Sequence, residues 1–134
     1  NMGKFDQLLP DIIKHANATD EVDTLYLYGS HAKGSAQENS DIDLAVIFKN
    51  TDTDVVARRL RPEILAIDWA NKLELPEGSL SLLDLENGPV PLAMSVLKTG
   101  KLLVNKNPAH EFEVSGKIMS KWEIDHLHHY QQFG

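Results

Sequence analysis

The chain has 134 residues, 42% of them hydrophobic and 25% charged, enough to bury one core without staples, so a single domain over residues 1–134 is expected. It contains no cysteine, which excludes disulfides, thiolate metal sites and a cysteine nucleophile. No apolar run reaches the length of a membrane span and no signal-peptide pattern opens the chain, so a cytoplasmic protein with no membrane contact is expected. The net charge of −7, with Lys and Arg scattered, argues against nucleic acid as a direct ligand and favours a basic protein partner.

Phe5, Leu8, Leu9, Ile12, Ile13 and Ala16 recur at helical spacing and predict a first helix over about residues 3–17, with Pro10 as a point of kinking or later start. Residues 24–28 predict a first strand. A glycine turn and a polar loop, His31 to Ser40, then lead to a second strand over 42–48. The run Asn50 to Asp54 offers helix caps. A helical stretch to about Leu75 follows, carrying Val56, Leu60, Ile64, Ile67 and Leu73, with Pro62 expected to split or bend it. Leu80 to Leu85 reads as a buried third strand. Pro91 to Leu97 reads as a helix closed by Gly100 in the C′ position, Lys101 to Val104 as a fourth strand, and Pro108 to about Gln132 as a last helix with Phe112, Ile118, Met119 and Trp122 on one stripe. Two hairpin-like joins in place of strict βαβ alternation imply an α/β fold, a small mixed sheet flanked by helices.

The chemistry concentrates in Gly29-Ser30, followed after ten residues by Asp41-Ile42-Asp43. On a strand Asp41 and Asp43 project to one face while Ile42 turns into the core. Two carboxylates held side by side repel, and a divalent cation between them relieves the repulsion. Hard oxygen donors suit Mg²⁺, which binds one or two carboxylates together with substrate phosphates. Gly29 allows close approach of a ligand to the backbone, and Ser30 adds a hydroxyl donor for a phosphate. The set is suited to a nucleoside triphosphate with Mg²⁺, and to in-line attack at the α-phosphate with loss of pyrophosphate.

Gly29-Ser30-x10-Asp41-x-Asp43, within YGSHAKGSAQENSDIDLAV, resembles the signature of the DNA polymerase beta-like nucleotidyltransferase superfamily. The short length and the similarity along nearly the whole chain, through LLDLENGPVPLAMSVLKTGKLLV, are like those of its minimal (MNT) members, the antitoxins of HEPN–MNT toxin–antitoxin pairs. The resemblance implies the polymerase beta-like fold, Asp41 and Asp43 as catalytic metal ligands, Gly29 and Ser30 as nucleotide-binding residues, ATP as substrate, and transfer of AMP to a tyrosine of a HEPN ribonuclease toxin. The family carries a third acid on the strand read at 80–85. Here Ser81 stands in its place, and Asp84, matching a second acid of that strand, is the tentative third metal ligand.

Serine supplies no negative charge, so two functions follow from the resemblance: a protein adenylyltransferase, or a catalytically degenerate module that neutralises its partner by binding alone. Transfer to a small aminoglycoside-like alcohol is disfavoured, since no further domain encloses such a substrate. His126, His128 and His129 read as a solvated helix end, not as a metal site. His31 and Lys33 lie within reach of a phosphate, Tyr26 and Tyr28 read as ordinary strand residues, and Trp69 and Trp122 as core. Arg58, Arg59 and Arg61 read as solvated.

Overall fold

The computed structural model describes the backbone of residues 3–133 and the side chains of residues 3–128. Its elements in chain order are α1 (Lys4–Ala18), β1 (Val22–Tyr28), α2 (Ser30–Lys33), β2 (Ile42–Phe48), α3 (Val55–Lys72), β3 (Leu80–Asp84), α4 (Val90–Thr99), β4 (Lys101–Asn105) and α5 (Pro108–Phe133). The strands form one mixed sheet of order β3-β2-β1-β4. β1 is antiparallel to both β2 and β4, whereas β2 and β3 run parallel. The β2–α3–β3 segment is therefore a crossover unit, with the helical stretch read from the sequence as its connection. Parallel neighbours need such a connection, and α3 supplies it.

Helices cover both faces. Strand alternation sends Leu25, Leu27, Leu44, Val46, Phe48, Leu80 and Leu82 to one side, against Ile12 and Ala16 of α1 and Leu65, Ala66, Trp69 and Ala70 of α3. Tyr26, Ala45 and Ile47 point to the other, against Ala93, Met94 and Val96 of α4 and Val114 and Ile118 of α5. Tyr26 carries its hydroxyl into this second layer and donates to Oε1 of Glu111 at 2.7 Å, an oxygen that also accepts from the Ser115 hydroxyl at 2.9 Å. Both burial and the Glu111 charge push the Tyr26 phenol up.

Several local expectations change. Neither proline breaks its helix: Pro10 lies inside α1, and Pro62 is buried within an unbroken α3. The buried stripe of α3 is Pro62, Leu65, Ala66, Trp69 and Ala70, whereas Val56, Leu60, Ile64 and Ile67 are 44–64% exposed. Likewise α5 buries Val114 and Ile118, leaving Phe112 at 80% exposure and Trp122 partly exposed under the Lys98 ammonium, 5.7 Å from its ring. Gly100 closes α4 in an extended conformation (φ −75°, ψ 166°), so the left-handed cap is absent. A Cβ there would meet the carbonyl oxygens of Val96 and Leu27. Arg61 is half-buried, stacked on the Phe48 ring at 4.0 Å and bonded to Glu21 at 3.1 Å.

Candidate active site

The site is built at one end of β1, β2 and β3. β1 stops at Tyr28 because Gly29 takes φ +72° and ψ −153°, a region essentially reserved for glycine. The chain then enters α2, a single helical turn that falls inside the gap read from sequence as loop. Its first internal bonds run from the Ala32 and Lys33 N–H groups to the Gly29 carbonyl, which leaves the Ser30 and His31 N–H groups ahead of the helical ladder. Gly34, at φ +76°, ends the turn. Ala32, the small apolar residue that α2 tucks into the core, is the signal in the sequence that marked this turn as folded.

Asp43 pairs with Tyr28 across the antiparallel β1–β2 ladder and with Ser81 across the parallel β2–β3 ladder. All three lie on the α4/α5 side of the sheet, as a row across three strands. Gly29 and Asp43 are in direct register of shape, since a Cβ on Gly29 would run into Oδ2 of Asp43. Burial and the charge of neighbouring Asp41 hold the Asp43 carboxyl above the usual carboxylate range, and His31 partly offsets them. Burial and the Asp43 charge push the Tyr28 phenol up as well. Tyr28, read from sequence as an ordinary strand residue, is thus part of the site's electrostatics. Its place directly before Gly29, opposite an acid, was the available clue.

His31 is fixed from two sides. Its ring stacks on Phe5 of α1 at 4.2 Å, and its Nε2–H donates to the Ser40 carbonyl at 3.1 Å, which ties α2 to the segment entering β2. Lys33 is exposed.

The structure does not bring Asp84 to this row. It sits on the other face of β3, paired with Val46, and its buried carboxylate accepts bonds from the backbone N–H groups of Glu86 (3.2 Å) and Asn87 (3.3 Å) and from Nδ2 of Asn87 (2.9 Å). No bulge interrupts β3, so alternation separates Ser81 from Asp84 and the carboxylate is spent on the turn that follows. The tentative metal role for Asp84 is corrected on this geometry. His126 is exposed and stacked near Trp122 at 6.1 Å, while the side chain of His129 lies outside the described residues. Among the described residues no three His, Asp or Glu side chains are grouped to hold a metal unaided. Asp41 and Asp43 do fit a Mg²⁺ ion that arrives with a nucleotide, because such an ion takes one or two carboxylates and draws its other ligands from phosphate and water.

A family model described as "Polymerase beta, Nucleotidyltransferase" matches residues 10–109, and the chain belongs to this nucleotidyltransferase family. It is 29% identical over 103 residues to the protein adenylyltransferase MntA of Shewanella oneidensis, a match that takes in 77% of this chain and 64% of the relative. Among solved structures, a toxin–antitoxin with AMP-PNP superposes with a TM-score of 0.69 at 29% identity, covering 92% of both chains. A complex of tri-AMPylated Shewanella oneidensis HEPN toxin with MNT antitoxin gives a TM-score of 0.62 at 25% identity, covering 94% of this chain and 92% of the other. No helix among the described residues is long and apolar enough to cross a membrane.

Proposed function

We propose that this single-domain chain is a Mg²⁺-dependent nucleotidyltransferase that moves AMP from ATP to a tyrosine of a HEPN-type toxin, acting in the cytoplasm as its antitoxin. The observation that carries the reading is the Asp41–Asp43 pair, set beside the Gly29–Ser30 turn with the Asp43 carboxyl raised by burial and by its neighbour. The relatives support the acceptor class, since one is named a protein adenylyltransferase and another is a complex with an AMPylated HEPN toxin.

In this reading Gly29 and Ser30 receive the triphosphate, the glycine by leaving room and the serine by hydroxyl donation. Asp41 and Asp43 hold the Mg²⁺, which when bound supplies charge stabilisation at the phosphates. The acceptor oxygen bonds to the α-phosphorus, the bond from that phosphorus to the α–β bridging oxygen breaks, and pyrophosphate leaves with the electron pair. The phenolic proton is released to water as that bond forms, because Asp41 and Asp43 are both committed to the ion.

A second reading, neutralisation by contact alone, is favoured by one observation: Ser81, not an acid, is the residue beside Asp43 on β3. The two separate in one experiment. The chain is incubated with Mg²⁺, α-labelled ATP and a HEPN-family protein. Label on a tyrosine of that protein, absent with Asp41→Ala, is the expected result. A tight complex that stays unlabelled overturns the transferase reading in favour of binding alone.

A further inference from the structure

α3 is apolar on two sides, and the sheet covers only one of them. Pro62, Leu65, Ala66, Trp69 and Ala70 are buried, while Val56, Leu60, Ile64 and Ile67 stand 44–64% exposed on the opposite side. Their spacings of four, four and three residues set them in one stripe along the helix. Grooves of about 640 and 630 Å³ flank the stripe, one walled by Ala57, Leu60 and Ile64, the other by Ile67 and Ala70. A ridge between two grooves is the form in which one helix receives another. The stripe is also symmetric about the middle of α3. Val56 and Ile67 lie equally far from the Arg61–Pro62 peptide, with Leu60 and Ile64 inside them on either side of it. Arg59 and Glu63, one turn apart on a single flank of the stripe, straddle the same point. Both are exposed and outside the ion pairs formed among the described residues.

We infer that this stripe is a self-association surface, at which two copies of the chain pair their α3 helices antiparallel about a two-fold axis near Arg61 and Pro62. A two-fold interface uses one patch on both subunits, so the patch must complement itself. In antiparallel pairing each flank of a helix meets its own counterpart. Arg59 then meets the partner's Glu63, Val56 the partner's Ile67 and Leu60 the partner's Ile64, and each contact occurs twice. On the other flank Asp54 faces the partner's Asp68. There Asp68 already holds Lys72 at 3.0 Å, and Asp54 caps α3 by accepting from the Val56 N–H at 3.2 Å. The net charge of −7 on each copy is not concentrated here, since Arg58, Arg59, Arg61 and Lys72 outnumber Glu63 and Asp68 on α3. Charges beyond about 8 Å are largely screened at physiological ionic strength. α3 also lies on the side of the sheet away from the Tyr28–Asp43–Ser81 row, so the pairing leaves the approach to Asp43 clear. A helix of 18 residues is about 27 Å long, a contact at the small end of interface sizes, and the dimer is accordingly weak.

The test is sedimentation equilibrium of the full chain over a concentration series. The parent is expected to pass from monomer to dimer with a midpoint between about 1 and 100 μM. Ile64→Lys is expected to weaken the dimer at least about tenfold with its circular dichroism spectrum unchanged, since each substitution enters the interface twice. Arg59→Glu alone and Glu63→Arg alone are expected to be monomeric where the parent is dimeric. An equal mixture of those two variants is expected to dimerise, because only the mixed pair sets glutamate against arginine at both contacts. A parent that stays monomeric up to about 1 mM overturns the proposal. So does a dimer indifferent to Ile64→Lys, which assigns association to another face, or a mixture that stays monomeric, which removes the antiparallel register. A monomeric parent that loses its complex with a HEPN-family protein on Ile64→Lys gives the stripe to that protein and overturns self-association. Label on the acceptor is read separately, so a dimer without transfer and transfer without a dimer are distinguishable.

Discussion

Gly29 and Asp43 fit together through an absent atom: a Cβ on the glycine would occupy the space of the Asp43 carboxylate, and the glycine's φ of +72° bars other residues independently. Gly29→Ala should therefore cost about 1–3 kcal/mol of stability through backbone strain. It should also displace Asp43 and so abolish transfer. Urea denaturation paired with a labelled-ATP assay checks both, and a variant of unchanged stability would remove the steric argument.

Asp43→Asn separates stability from chemistry. The Asp43 carboxyl is raised in the folded state, by burial first and Asp41 second, so the fold favours its protonated form. Its stabilising share is full below the unfolded carboxylate pKa of about 3.9 and is lost as pH rises through the raised folded value. At pH 7 in the absence of Mg²⁺, Asp43→Asn should thus be more stable than the parent, with the gap closing as pH falls toward 3. Transfer should drop by at least about 100-fold, since loss of a direct metal ligand exceeds the 10–100-fold typical of outer groups. Melting temperatures from pH 3 to 8 report the first effect, initial rates the second.

Ser81→Asp would set a third carboxylate beside Asp43 in register. Without metal, the added like charge should lower stability by up to about 1 kcal/mol. Added Mg²⁺ should raise the melting temperature of this variant more than that of the parent, and transfer should quicken. A melting temperature indifferent to Mg²⁺ would show that position 81 does not face the ion.

Asp84→Ala should behave as a turn mutation. Its carboxylate accepts three hydrogen bonds from Glu86 and Asn87, so removal should cost about 1–3 kcal/mol while leaving the transfer rate of the folded protein unchanged. Chemical denaturation and kinetics below the melting range check this. A loss of rate without a loss of stability would return Asp84 to the site.

Much of this architecture was legible because periodicity was strong. β2 spans Ile42–Phe48 as read, and the alternation that turns Ile42 inward sets Asp43 on the opposite side. Burial was harder to read wherever a helix is apolar on two sides. In α3 the large residues Val56, Leu60, Ile64 and Ile67 drew attention, yet the sheet takes the smaller set around Ala66 and Ala70, with Trp69 filling the remaining space. The parallel register of β3 depends on where α3 returns the chain, a long-range relation that no local pattern carries. Asp84 matched by spacing alone, and its true partners are the two residues that follow it. At the other end of the scale, α2 is only four residues long, too short for a periodic signal.

The sheet order places β1 and β2 inside and β3 at the margin. Asp43 thus belongs to a strand pinned from both flanks, with Asp41 directly ahead of it, whereas Ser81 belongs to one pinned from a single flank. Mutational tolerance should be graded accordingly. Changes along the outer strand and the exposed side of α3 can therefore accumulate while the reactive centre keeps its shape, so the rim of the sheet can drift without cost to the chemistry.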